Sequence, residues 1–220
     1  MIKVNSVLTE INYYVSYSNP LLNLGSEKNR INILNKIMNS FSIRLNDVKF
    51  GAETPSDKFF YFQKFLDTTK LEVSIGVEEL SVRIMNPKDE ADIYALINKV
   101  LNLLKSHKGF DIGHQRITNS EHFSTDDDFV QHFNSLNPFT PDEFEESLKS
   151  KGIIYRLVDN EYDFNIFIVM DKSLTVEEGM YLNIDLQFSP NKLSFQDMFG
   201  VAKERYQKIT SALGLEVTNR

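Results

Sequence analysis

The chain has 220 residues, with 24 Lys and Arg against 31 Asp and Glu, and so carries a formal charge of -7. At about 150 residues per domain this is one large domain or two small, intimately packed ones, and a hydrophobic share of 41% excludes disorder as the overall state. No cysteine is present, which excludes disulfides, thiol nucleophiles, thiolate zinc sites and iron–sulfur clusters.

The opening Met1-Ile2-Lys3-Val4-Asn5-Ser6 lacks the apolar run of a signal peptide, and no stretch reaches the roughly 18 apolar residues of a membrane span. A cytoplasmic protein with no membrane contact is expected. The negative charge and scattered lysines disfavour nucleic acid as a partner, because phosphate recognition needs a clustered basic face.

In chain order, Ile11, Tyr13, Val15 and Tyr17 alternate at period two and predict a strand over Glu10–Tyr17. Ile31, Leu34, Ile37, Met38 and Phe41 recur at helical spacing and predict a helix over Glu27–Phe41. Val48 and Phe50 belong to a short strand, and 51–57 reads as loop. The aromatic run Phe59–Leu66 fits helix or strand. Leu71, Val73 and Ile75, then Leu80, Val82 and Ile84, form two clear alternating strands, and three strands in succession favour a meander. Asn86 with Pro87 then predicts a helix start, and Ile93, Leu96, Ile97, Val100, Leu101 and Leu104 form its buried face up to the capping Gly109.

The second half repeats this order. A strand over Phe110–Phe123 precedes short helices at Thr125–Leu136 and Thr140–Lys149. Strands follow at Ile153–Val158, Tyr162–Met170 and Met180–Phe188, and a last helix carries Phe195, Ala202, Tyr206, Ile209 and Leu213. The expected fold is α+β, with two similar halves at 1–109 and 110–220 in one compact unit. Each half is strand, helix, antiparallel meander and helix, with its sheet packed against helices on one face.

Four histidines are the first candidates for chemistry. His114, His122 and His132, with Asp126, supply nitrogen and carboxylate groups of the kind that hold a divalent metal and activate water. Their spacing matches no metal template, and Asp126, Asp127 and Asp128 serve more simply to favour the start of the next helix. On the strand Gly113–Asn119, His114 and Arg116 share one face, so an imidazole and a guanidinium can meet a carboxylate or phosphate. Asn119 and Asp185 complete this candidate ligand set, and Asp185 is a candidate partner for Arg116 because a carboxylate inside the apolar strand Tyr181–Leu186 needs one. Adjacent acids at Glu78–Glu79, Glu145–Glu146 and Glu177–Glu178 read as solvated surface. No Gly-rich phosphate loop or GxSxG elbow occurs, and no cofactor is expected.

The segments Asn5–Tyr13, Leu71–Val82, Gly113–Asn119 and Leu182–Leu186 together resemble a sporadically distributed family of uncharacterised bacterial proteins. Where that family carries an Arg-Tyr-x-Asn strand, this chain has Arg116-Ile117-Thr118-Asn119. The resemblance implies a two-part α+β protein and brings no activity.

The surplus of aromatic residues, 17 Phe and 9 Tyr, without catalytic signatures leads to one principal expectation. It is a non-catalytic cytoplasmic protein-binding protein of interaction or inhibitor/immunity type, of bacterial or phage origin, that engages a protein partner or forms a homo-oligomer. The alternatives are a metal-dependent hydrolase or nuclease using His114, His122, Asp126 and His132, and a small-ligand sensor using His114, Arg116, Asn119 and Asp185 between the two halves.

Overall fold

The computed structural model describes residues 1–50, 58–105, 107, 109–124, 127–136, 152–177, 179–190 and 192–218. In chain order the elements are β1 (Ile2–Tyr17), α1 (Glu27–Phe41), β2 (Val48–Phe50), β3 (Lys58–Leu66), β4 (Thr69–Gly76), β5 (Glu79–Met85) and α2 (Glu90–Leu104). There follow β6 (Ile112–Ser124), α3 (Asp127–Leu136), β7 (Ile153–Asp159), β8 (Phe164–Lys172), β9 (Met180–Phe188), α4 (Phe195–Ala212) and β10 (Leu215–Thr218). Neighbouring strands hydrogen-bond in the order β2-β3-β4-β5-β1-β6-β9-β8-β7, with β10 beside β1. The fold is mixed α+β, with mostly antiparallel strands. The loop expected at 51–57 and the helix expected at 140–149 lie outside the described residues.

The chain divides into two compact units. One comprises Glu10–Ile117 with Gln187–Gln196; the other comprises Met1–Thr9, Thr118–Leu186 and Asp197–Arg220. In the first, one row of side chains runs across five strands: Tyr13 of β1 faces Val82 of β5, Val82 faces Val73 of β4, Val73 faces Phe62 of β3, and Phe62 faces Val48 of β2. All five are buried. The neighbouring row, Asn12, Arg83, Glu72 and Gln63, lies on the opposite face because successive strand residues alternate. There Arg83 pairs with Glu10 and Glu72, and Gln63 donates to Glu72. Helix α2 packs on β5 and against α1. Its Ile97, Val100 and Leu104 are wholly buried.

Local chemistry sets the boundaries. Ser26 accepts the Asn29 N–H at 3.3 Å and starts α1, which ends where Ser42 turns left-handed. The start of α2 is later than the expected Asn86–Pro87: Asp89 caps the helix by accepting the Asp92 N–H at 2.8 Å. Asn86 is instead a left-handed turn residue whose carbonyl accepts from the Thr69 hydroxyl at 2.9 Å. The aromatic run Phe59–Leu66 is strand. Gly113 allows a close approach of backbone, since a Cβ there would lie 2.8 Å from the Ser16 carbonyl oxygen.

In the other unit β1 begins at Ile2, well before the expected Glu10. Its inward positions beyond Val4 include Ser6 and Thr9, whose hydroxyls lie 3.1 Å apart, so the buried stretch is strand without apolar alternation. Ile2–Asn5 pair in parallel with β10, a strand the sequence pattern did not mark. Ile166, Ile168 and Met170 of β8, with Leu182, Ile184 and Leu186 of β9, form one buried set. Met198, Tyr206 and Ile209 of α4 are buried as well.

Candidate functional site

Strand β6 carries most of the candidate residues and divides them. His114 and Arg116 belong to the first unit. Both are exposed there, and the Arg116 guanidinium lies 5.6 Å from the Tyr14 ring centroid. Asn119 and Asp185 belong to the second unit, and the expected pairing of Asp185 with Arg116 is replaced by a shorter-range one. Thr118 donates its hydroxyl proton to Asp185 at 3.2 Å, both side chains being buried. Asn119 follows Thr118 on the strand and so points to the opposite face, where its Oδ1 is buried with no hydrogen-bond partner among the described residues.

The face that carries Asp185 is a ladder of polar pairs. Beyond Thr118 and Asp185, the Ser120 hydroxyl donates to Asn183 Oδ1 at 2.8 Å and accepts from the Tyr181 hydroxyl at 3.3 Å. The next pair is His122 and Tyr181, whose ring centres lie 4.9 Å apart. The ladder runs from buried at Asp185 to half-buried at His122, where it opens into a cavity of about 640 Å³. Val169, Asp171 and Lys172 of β8, the turn Ser173–Thr175, His122 and Tyr181 line it.

Ser173 organises this end. Its Oγ accepts the backbone N–H groups of Thr175 at 3.1 Å and Val176 at 2.8 Å, which holds the turn after β8. The same oxygen lies 2.8 Å from His122 Nδ1. A hydroxyl oxygen has two lone pairs, and both are taken by N–H groups, so Ser173 donates its proton to Nδ1 and the neutral imidazole carries its own proton on Nε2.

His132 has a different role. Its Nε2–H donates to the Leu213 carbonyl at 2.6 Å and ties α3 to the end of α4. Gly214 takes a positive φ there, and a Cβ on it would meet the imidazole at 3.0 Å. Asp126 lies outside the described residues. Among the described residues no group of three His, Asp or Glu side chains could hold a metal ion.

A second feature lies at the outer strand β7, which ends the strand order among the described residues. Ile153 and Asp159 at its ends are buried, and the five residues between them are exposed. Four of these are large and apolar: Ile154 is 74% exposed and Val158 56%, with Tyr155 and Leu157 also exposed. The apolar run Ile153–Val158 reads in sequence as an ordinary buried strand, so this exposure had no signal. Ser173, Lys172 and Tyr181 were likewise missed, because a serine between two strands reads as turn chemistry only.

No helix among the described residues is long and apolar enough to cross a membrane. Compared with protein-family models and with curated proteins, the chain matches none.

Proposed function

We propose that this is a protein-binding protein that receives an extended segment of its partner alongside β7. One observation carries the reading: five consecutive exposed residues, four of them large and apolar, on a strand that ends the order. An outer strand offers main-chain N–H and C=O groups to a partner strand, and its side chains set specificity. Arg156 is the one charge among the exposed five, and its guanidinium lies 5.2 Å from the Phe167 ring centroid. A partner segment of apolar residues with an acid facing Arg156 complements this surface.

The cytoplasmic setting, the bacterial or phage origin and membership of the family resembled above belong to the same proposal. So does an internal duplication. It is supported by strand order: in one half the first long strand gives β1-β5-β4-β3, and in the other β6-β9-β8-β7. Each meander is followed by a helix, α2 or α4.

Native mass spectrometry of the protein purified gently from its host tests the reading. A stoichiometric protein partner, or a homodimer, is expected, and it should be lost in the double variant Ile154→Lys, Leu157→Lys. Both positions are exposed, so the fold should survive. A partner retained by the double variant, or a bare monomer from the wild type, overturns it.

A further inference from the structure

The cavity beside His122 is independent of the β7 surface and has the character of a binding site. Its volume of about 640 Å³ falls within the roughly 300–1,000 Å³ of small-molecule pockets. Its apolar wall is made by Val169, Leu174 and the Tyr181 ring, with the His122 imidazole tilted 42° against that ring. Its polar groups are few: Lys172, Asp171, Thr175 and the His122–Ser173 pair.

A serine hydrogen-bonded to a histidine invites comparison with a hydrolase, since a nucleophile needs a base in reach. The arrangement argues against it. Attack requires an available lone pair on Oγ, and both are committed to the backbone N–H groups of Thr175 and Val176. Ser173 is also buried. It is a positioning residue: it holds the turn and, through its proton, fixes which nitrogen of His122 is the donor.

Two flat rings, an apolar wall and one lysine define the ligand chemistry. Planar aromatic molecules gain from offset or tilted contact with Tyr181 and His122. Asp171 already accepts the Lys172 backbone N–H at 2.7 Å, which occupies part of its carboxylate, whereas no acid is paired with the Lys172 ammonium among the described ion pairs. We infer that the cavity formed by His122, Tyr181, Val169, Leu174 and Lys172 binds a small aromatic carboxylate, its ring against Tyr181 and its carboxylate toward Lys172.

Calorimetry and ligand-observed NMR on the full chain test this with four probes: benzoate, indole-3-acetate, cyclohexanecarboxylate and benzyltrimethylammonium. The two aromatic acids should bind, and the saturated acid and the aromatic cation should bind at least about tenfold more weakly, as expected for loss of ring contact or charge match. Lys172→Gln should weaken the aromatic acids about twofold to fivefold, the range for an exposed charge pair, and Tyr181→Leu about tenfold. Leu174 is fully exposed, so Leu174→Asp leaves the fold intact and places an acid at the rim. It should also weaken both aromatic acids, which keeps the test decisive if Tyr181→Leu fails to fold. Absence of aromatic-acid binding at millimolar concentration, equal binding of the cation, or affinities untouched by Lys172→Gln and Leu174→Asp overturns the assignment.

Discussion

Arg205 on α4 donates its Nε–H to the carboxylate of Asp159 at the end of β7, and both side chains are buried. The remaining guanidinium nitrogens reach Glu161 at 2.6 Å and Glu204 at 2.8 Å, while the other Asp159 oxygen accepts the N–H groups of Glu161 and Tyr162, each at 3.0 Å. One carboxylate therefore closes the β7–β8 turn and anchors α4 to it. Asp159→Asn should cost roughly 2 kcal/mol, less than a fully enclosed pair because the glutamates reach solvent. Urea denaturation checks this through the midpoint at unchanged slope.

The same carboxylate predicts an acid limit. Burial pushes the Asp159 carboxyl up, but the hydrogen bond from Arg205, those from the Tyr162 and Glu161 N–H groups and the guanidinium charge outweigh it and hold it below the ordinary value. The unfolded chain takes up this proton near pH 3.9 and the folded chain only at lower pH. The stabilisation is thus full above about pH 4 and lost as pH falls through the folded value. Denaturation curves between pH 5 and 2 should show a shallower acid loss in Asp159→Asn than in the wild type.

His107 sets a second, milder dependence. Burial, with the charge of Lys36 adding to it, holds its imidazole below the ordinary value, and its Nε2 has no hydrogen-bond partner among the described residues. The unfolded chain protonates there near pH 6.5 while the folded chain resists. Stability should fall as pH drops from about 6.5 through the folded value, and His107→Leu should remove that part of the slope. Thermal melts from pH 8 to 5 read it.

Tyr13 donates to Gln115 Oε1 at 2.6 Å with both residues buried. Tyr13→Phe leaves that oxygen without its donor and should cost about 1–2 kcal/mol. Burial also raises the Tyr13 hydroxyl above its ordinary value. The unfolded chain ionises near pH 10 while the folded chain does not, so stability should decline above that pH, less steeply in the Phe variant. Ultraviolet titration combined with circular dichroism separates ionisation from unfolding.

Ile97 has no exposed surface. Ile97→Asp places an unpaired charge against β5 and α1 and should destabilise by more than about 4 kcal/mol, visible as loss of cooperative unfolding. A folded, soluble variant would show that another face of α2 is buried.

The sequence reading succeeded where one physical rule acted alone. Leu71, Val73 and Ile75 against Leu80, Val82 and Ile84 are two half-buried strands, and period two is enough to read them. It failed where polar atoms take buried positions. Ser6 and Thr9 satisfy each other inside β1, so the strand's first residues look like coil. Asn86 has the composition of a cap but supplies only a turn carbonyl to Thr69, while Asp89 does the capping. At the site, Asp185 was singled out because a carboxylate in an apolar strand needs a partner, and it has Thr118. That the partner is a neighbour on β6 rather than Arg116 is a matter of register, which no spacing within one strand encodes.

The parallel pairing of Ile2–Asn5 with Leu215–Thr218 has a temporal consequence. On the ribosome the first strand is made long before its partner, so its backbone donors and acceptors in Ile2–Asn5 must wait, solvated or chaperoned, until translation has reached β10. Closing so long a loop is entropically slow. The unit containing Met1–Thr9 is therefore completed only after synthesis of the last described strand, whereas Glu10–Ile117 has most of its own core as soon as α2 and β6 emerge.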